Sequence, residues 1–233
     1  MVSCIIFDID GTLIDESAVL DAQTSAVAWK FGDSLEVKQS VVDQFFAAND
    51  HAVAEGGQSK NDIPQYMKWM GEALDVPVTD AEAIKLASDW SQAFAGTFTR
   101  PQVFSDTVTC LEALKAKSIR LVIASGGTKE KKQSLLVEAG LAQYFDTIYA
   151  ATDIGFQKQD RRFWEQVLTQ LDAPPEQCLV VGNQINDDIM NPKALGMITV
   201  LVHRDGVLSK RNEPRDARSI YEITDLLDIV KFI

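Results

Sequence analysis

Cys4-Ile5-Ile6-Phe7-Asp8-Ile9-Asp10-Gly11-Thr12 is the stretch whose reading decides the fold. The run Cys4–Phe7 is a short, wholly apolar strand of the kind buried on both faces. Two carboxylates, Asp8 and Asp10, stand two positions apart where that strand ends, and Gly11 breaks the extended backbone. Asp-Gly after an apolar run is also an ordinary turn, because glycine accepts positive φ and aspartate bonds its own backbone. The alternative is chemistry: one carboxylate attacks an electrophile such as phosphorus, and the second carries a proton to the leaving group. The rest of the chain has to choose between them.

Working outward, residues 16–98 contain no β-rich run. Four segments have helical spacing instead. The first spans Ser17 to Phe31, and the second runs from near Ser34 to Gly56-Gly57. The third carries Ile63, Tyr66, Met67, Trp69, Met70 and Leu74. The fourth starts at the cap signal Thr79-Asp80-Ala81-Glu82. Apolar residues three and four apart give each helix one stripe, so these segments are expected to form a small bundle. Trp29, Trp69 and Trp90 fall on the stripes as core, and His51 reads as a solvated helix residue.

After Pro101 strands and helices alternate. Strands are expected at 120–124, 147–150, 178–181 and 198–202; helices at 105–117, 129–139, 160–171, 187–195 and 219–229. That rhythm implies an α/β fold, a doubly wound parallel sheet covered on both faces, with the bundle inserted after its first strand. The domain division is 1–15 with 99–233 as the core and 16–98 as the insertion, hinged near 14–17 and 97–102. Ligands of such sheets bind beyond the carboxyl ends of the strands.

Three more signals lie at strand ends. Ser125-Gly126-Gly127 opens a helix and offers a hydroxyl and amides to a phosphate. Lys158, in a polar stretch after the third strand, supplies a compact positive charge. Gly182-Asn183-Gln184-Ile185-Asn186-Asp187-Asp188 carries oxygen ligands suited to a hard cation such as Mg²⁺, although acids here also simply cap a helix. The clusters Lys129-Glu130-Lys131-Lys132 and Arg161-Arg162 read as solvated first turns.

Taken in order, Asp8-Xaa-Asp10-Gly-Thr12, Ser125, Lys158 and the Asn183–Asp188 segment resemble the haloacid dehalogenase superfamily, its helical cap matching residues 16–98. The resemblance implies a Mg²⁺-dependent phosphatase acting on a small phosphorylated metabolite. Asp8 would be the nucleophile and Asp10 the acid/base, with Thr12 orienting Asp10 at the substrate-binding side. Ser125 and Gly126 would hold the phosphoryl group, and Lys158 would bridge nucleophile and phosphate. Asp8, Asp10, Asn183 and Asp188 would serve the metal, Asp188 from behind, orienting Lys158 or bound water. Members that cleave carbon–halogen bonds lack the second aspartate, so Asp10 argues for a leaving oxygen that must be protonated. Cap residues would set specificity, with Lys60, Tyr66 and Arg100 within range.

Two departures stand out. Asn183 replaces the usual acid, so either the metal site is weaker or turnover is lost and the chain only binds. Gln159 follows Lys158 where many relatives have proline. A phosphomutase on the same machinery is the other enzymatic reading.

Composition bounds the rest. With 233 residues, 46% of them hydrophobic and 24% charged, the chain can bury a sizeable core. A net charge of −12 argues against a nucleic-acid surface. Cys4, Cys110 and Cys178 are scattered and suggest neither disulfides nor zinc. With no membrane-spanning run and no leader pattern, a cytoplasmic monomer or small homo-oligomer is expected.

Overall fold

The computed structural model describes residues 2–54, 62–97, 101–204 and 221–233. They fall into two compact units, one of residues 2–15, 101–204 and 221–233, the other of residues 16–97.

The first unit is built on a six-stranded sheet of β1 (Cys4–Phe7), β4 (Arg120–Ser125), β5 (Thr147–Ala150), β6 (Cys178–Gly182), β7 (Ile198–Val202) and β8 (Tyr221–Ile223). Their order is β5-β4-β1-β6-β7-β8, every pairing parallel. The chain leaves β1 for one side of the sheet and later returns to its other side, so β1 lies at the topological switch point. Ile5 and Ile6 point to opposite faces, and both are fully buried. One face packs Ile6, Val122, Ala124 and Val180 against Phe163, Trp164, Val167 and Leu171 of a helix at Arg161–Leu171. Register sets the functional end: Phe7 pairs with both Ile123 and Val181, so the residues just beyond β1, β4 and β6 emerge side by side.

A two-stranded antiparallel ribbon, β2 (Ile14–Asp15) with β3 (Gln102–Val103), joins the two ends of the split first unit. Strands of two residues leave no periodicity to read, and the sequence did not announce them. The C-terminus also differs from expectation. In place of a helix over 219–229, β8 is followed by a 3-10 turn at Leu226–Phe232. Asp225 accepts a bond from the Leu227 amide and starts the turn there, while Ile223 is buried at the sheet edge. Ser219 and Ile220 lie outside the described residues.

The second unit holds α1 (Ser17–Ala26), α2 (Ala28–Phe31), α3 (Leu35–Ala54), α4 (Ile63–Ala73) and α5 (Asp80–Thr97). The expected first helix is therefore broken at Val27, which is buried with Met67, Met70, Leu86 and Trp90. Asp62 caps α4, and Thr79 and Glu82 form a reciprocal capping box at the start of α5. Trp90 is core, stacked on Phe45 at 4.5 Å. Trp29, expected in the core, is 49% exposed: its indole bonds Asp89 and lies under the Lys85 ammonium. Trp69 is half-buried, and His51 is exposed with its ring edge on Trp69. Tyr66 is buried within the bundle, while Lys60, Arg100 and Gly56-Gly57 lie outside the described residues. No described helix is long and apolar enough to cross a membrane. All three cysteines are buried free thiols.

Candidate active site

Beyond Phe7 the backbone stops being a strand. The Asp8 amide still bonds the Val181 carbonyl, but the Ile9 carbonyl collects the amides of Thr12, Leu13 and Ile14 in a tight loop. Gly11 makes that loop possible with φ of 72°, a conformation other residues rarely adopt. Behind it, Arg204 donates twice to the Thr12 carbonyl, pairs with Asp106 at 2.7 Å and covers the Phe104 ring. The Asp8–Thr12 loop is thus held by a guanidinium 192 residues away.

Asp8 and Lys158 meet at 2.7 Å, both almost wholly buried. On its other side Lys158 pairs with Asp188, which is fully buried. Burial works against the charge on Lys158, but Asp188 and Asp8 outweigh it and raise its pKa, so the ammonium persists. Burial pushes Asp188 up to about 7 against the pull of Lys158, and burial likewise raises Asp8. The Lys158 backbone is fixed in turn. Trp164 Nε1 donates to its carbonyl at 2.9 Å, and Asn191 Nδ2 donates to the Gln159 carbonyl at 2.7 Å. Gln159, which follows the lysine in place of proline, therefore has its carbonyl anchored.

The 183–188 segment leaves β6 through a π-helical turn, Ile185–Met190, followed by a short helix, Asn191–Ala194, in place of one regular helix over 187–195. Such turns are rare and gather at functional sites. This one swings Asp188 back over Gly182, where its carboxylate also accepts the Gln184 amide at 3.0 Å. Asp188, expected among the metal residues, is therefore committed to Lys158 and to the backbone, and it orients the lysine.

Thr12 is a second correction. Its buried hydroxyl is shared between Asp8 Oδ2 at 3.2 Å and Asn183 Oδ1 at 3.3 Å. It draws Asp8 and the Asn183 amide together, whereas the resemblance implied that it would orient Asp10. The side chain that grips Asp10 is Lys132, whose ammonium pairs with Asp10 Oδ2. The sequence reading left Lys132 as a solvated turn residue. Arg161 and Arg162 are exposed in their first helical turn, as expected, with Arg162 paired to Asp160.

Ser125 and Gly126, expected to hold the phosphoryl group, lie at the end of β4. Ser125 is fully buried, and its hydroxyl has no hydrogen-bond partner among the described residues. A Cβ at Gly126 would meet nothing within 4 Å, so there is open space beside it. A buried hydroxyl with no partner, next to a residue with room beside it, is suited to a substrate oxygen.

The residues also fit a Mg²⁺ ion. Asp8 Oδ2 and Asn183 Oδ1 converge on one hydroxyl, and both are hard oxygen donors. Asp8 and Asp188 share the Lys158 ammonium in a dry setting, an excess negative charge that a divalent cation beside Asp8 offsets. Because position 183 is an amide, no cluster of three acids, histidines or cysteines suited to a metal occurs among the described residues.

A model of the haloacid dehalogenase-like hydrolases matches residues 2–196. The chain belongs to that family. A glyceraldehyde 3-phosphate phosphatase from Methanothermobacter thermautotrophicus is 24% identical over 235 residues, spanning 99% of this chain and 100% of its own. Among solved structures, the HAD-hydrolase YfnB of Bacillus subtilis, bound to magnesium, is 17% identical with a TM-score of 0.71, covering 99% of this chain and 98% of its own. An L-2-haloacid dehalogenase from Xanthobacter autotrophicus is 18% identical with a TM-score of 0.69, covering 100% and 98%. These likenesses give the haloacid dehalogenase fold, which hosts different reactions.

Proposed function

We propose that this chain is a Mg²⁺-dependent phosphatase for a small phosphorylated metabolite, working through an aspartyl-phosphate on Asp8. The observation that carries the reading is the buried Asp8–Lys158 pair at 2.7 Å, with Asp10 two residues away on the same loop. An oxyanion held beside an ammonium is a nucleophile aimed at an electrophile that is itself anionic.

Asp8 attacks phosphorus while the bond from phosphorus to the leaving oxygen breaks, and the proton of Asp10 passes to that oxygen. The alcohol departs neutral. Asp10 then takes a proton from water as the water oxygen attacks the same phosphorus; Asp8 is released and phosphate leaves. Lys158, the Ser125 hydroxyl and the Gly126 amide hold the phosphoryl oxygens, since phosphoryl transfer is mostly positioning and charge stabilisation. Asp8, Asn183 and the Asp10 main-chain carbonyl would hold Mg²⁺, which when bound offsets the repulsion between anionic nucleophile and anionic substrate.

Two observations favour this reading over dehalogenation. Asp10 supplies a proton that a halide leaving group does not need, and the full-length relative from M. thermautotrophicus bears a phosphatase name. In the same reading, residues 16–98 form a cap that sets which leaving group is accepted. The interdomain movement named for YfnB supports a mobile cap in this fold.

The test is a panel of phosphate esters with and without Mg²⁺, run beside Asp8→Asn. Metal-dependent phosphate release abolished by the substitution supports the reading. Absence of release from every ester favours a chain that binds without turnover, the reading for which Asn183 argues.

A further inference from the structure

Lys132 sits in the first turn of a helix at Lys129–Glu138, amid charged residues that suggest only a wet surface. Its neighbours Lys129 and Lys131 are indeed exposed, whereas the Lys132 side chain is 16% exposed. The cause is helical phase. Lys132 precedes the buried Leu135 and Leu136 by three and four residues, which centres it on the inward face. Its stem runs past Gly127, where an added Cβ would lie 3.9 Å from Lys132 Cε. The ammonium ends on Asp10 Oδ2, 122 residues earlier in the chain.

We infer that Lys132 is the positioning residue for Asp10: its ammonium fixes one carboxylate oxygen and turns the other towards the leaving group. The inference rests on the acid/base role proposed above for Asp10. Three observations lead to it. Thr12, the residue next along that would otherwise hold Asp10, is spent on Asp8 and Asn183. Asp10 is the more exposed of the two aspartates, its side chain 36% accessible against 10% for Asp8, so it needs an anchor that Asp8 does not. Lys132 also belongs to the segment that carries Ser125 and Gly126, so the group that cradles the phosphoryl oxygens and the group that aims the proton donor are one rigid strand-to-helix turn. A proton donor must lie within hydrogen-bond reach of the leaving oxygen, and its alignment contributes about 10²–10⁴-fold to rate.

In the transfer to Asp8 an aimed proton donor matters only when the leaving group is poor. The ratio kcat/KM reports that step apart from the later attack of water, which gives a readout that general structural damage would not produce. The experiment measures kcat and KM of wild type, Lys132→Met and Lys132→Arg on an alkyl ester, glycerol phosphate, and on p-nitrophenyl phosphate. Inhibition by inorganic phosphate is measured beside them. Lys132→Met is expected to lower kcat/KM for the alkyl ester by about 30-fold or more while kcat/KM for p-nitrophenyl phosphate changes by less than about threefold, with phosphate inhibition unchanged. Lys132→Arg, which keeps the charge, is expected to show the same bias at about a third of the size; it carries the test alone if Lys132→Met does not fold. An equal fall in kcat/KM for both esters, or weakened phosphate inhibition, overturns the inference and leaves the proposed function standing. Failure of wild type to cleave any ester, these two and the whole panel above included, overturns both.

Discussion

Gly182 and Asp188 occupy the same space: a Cβ built on Gly182 would stand 2.2 Å from Asp188 Cγ. The strand therefore ends in glycine because the carboxylate that orients Lys158 lies directly on its backbone. Gly182→Ala is expected to push Asp188 off Lys158, costing about 1–3 kcal/mol of stability and most of the activity. The two effects should not add: in Gly182→Ala with Asp188→Ala, the glycine substitution should cost less than it does alone, because its clash has been removed. Thermal melts and phosphate-release rates across the four-protein cycle check this.

Trp164 acts through its indole N–H, which donates to the Lys158 carbonyl and, at 3.2 Å, to the Asp187 carbonyl. Trp164→Phe keeps an aromatic ring in the core but deletes that donor. The expected cost is about 1–3 kcal/mol in denaturant unfolding, with kcat falling more than KM rises because Lys158 loses its anchor.

Arg204 and Asp106 make a partly buried pair that ties the Thr12 carbonyl to the amide of Leu226. Burial raises the Asp106 pKa, but the Arg204 guanidinium and the Leu226 amide outweigh it and hold the carboxyl below its ordinary range. The folded chain thus takes up this proton less readily than the unfolded chain. The pair's contribution is complete above about pH 4 and is lost as pH falls through the depressed folded value. Arg204→Met, which takes the partner from the carboxylate, is expected to cost about 1–3 kcal/mol at pH 7. Asp106→Asn should flatten the acid limb of the stability profile, measured by thermal melts between pH 3 and pH 7.

Asn183 presents an amide oxygen beside Asp8 where a carboxylate would add charge. Asn183→Asp is expected to tighten Mg²⁺ binding about tenfold or more, since one further negative charge at close range is worth over 1.4 kcal/mol even at an effective dielectric near 20. Calorimetric titration with Mg²⁺ checks it, and unchanged affinity would remove Asn183 from the metal-facing set.

The parts of this molecule legible in the sequence are those written locally. Apolar runs such as Leu121–Ala124 and Cys178–Val181 can only be buried strands, and their alternation with helices implies the sheet. Asp8, Ser125 and Lys158 were found because each follows a strand end, and strand ends converge. What was hidden depends on partners far away in sequence. Lys132 looks like any surface lysine until Asp10 is beside it, although its phase with Leu135 and Leu136 was a signal. Thr12 shares its loop with Asp10 yet turns to Asn183, because the β1–β6 register brings that amide close. Trp29 matched an apolar stripe, but the break at Val27 rotates it outward to Asp89.

The central claim is that Asp8 accepts the phosphoryl group. Wild type and Asp8→Asn are mixed with a ³²P-labelled ester and Mg²⁺, quenched in acid within milliseconds, digested and mapped. The account expects a transient, acid-stable and base-labile label on the peptide that holds Asp8, absent from Asp8→Asn. Rapid turnover by wild type with no label on the chain at any time, or with label on another residue, would contradict it.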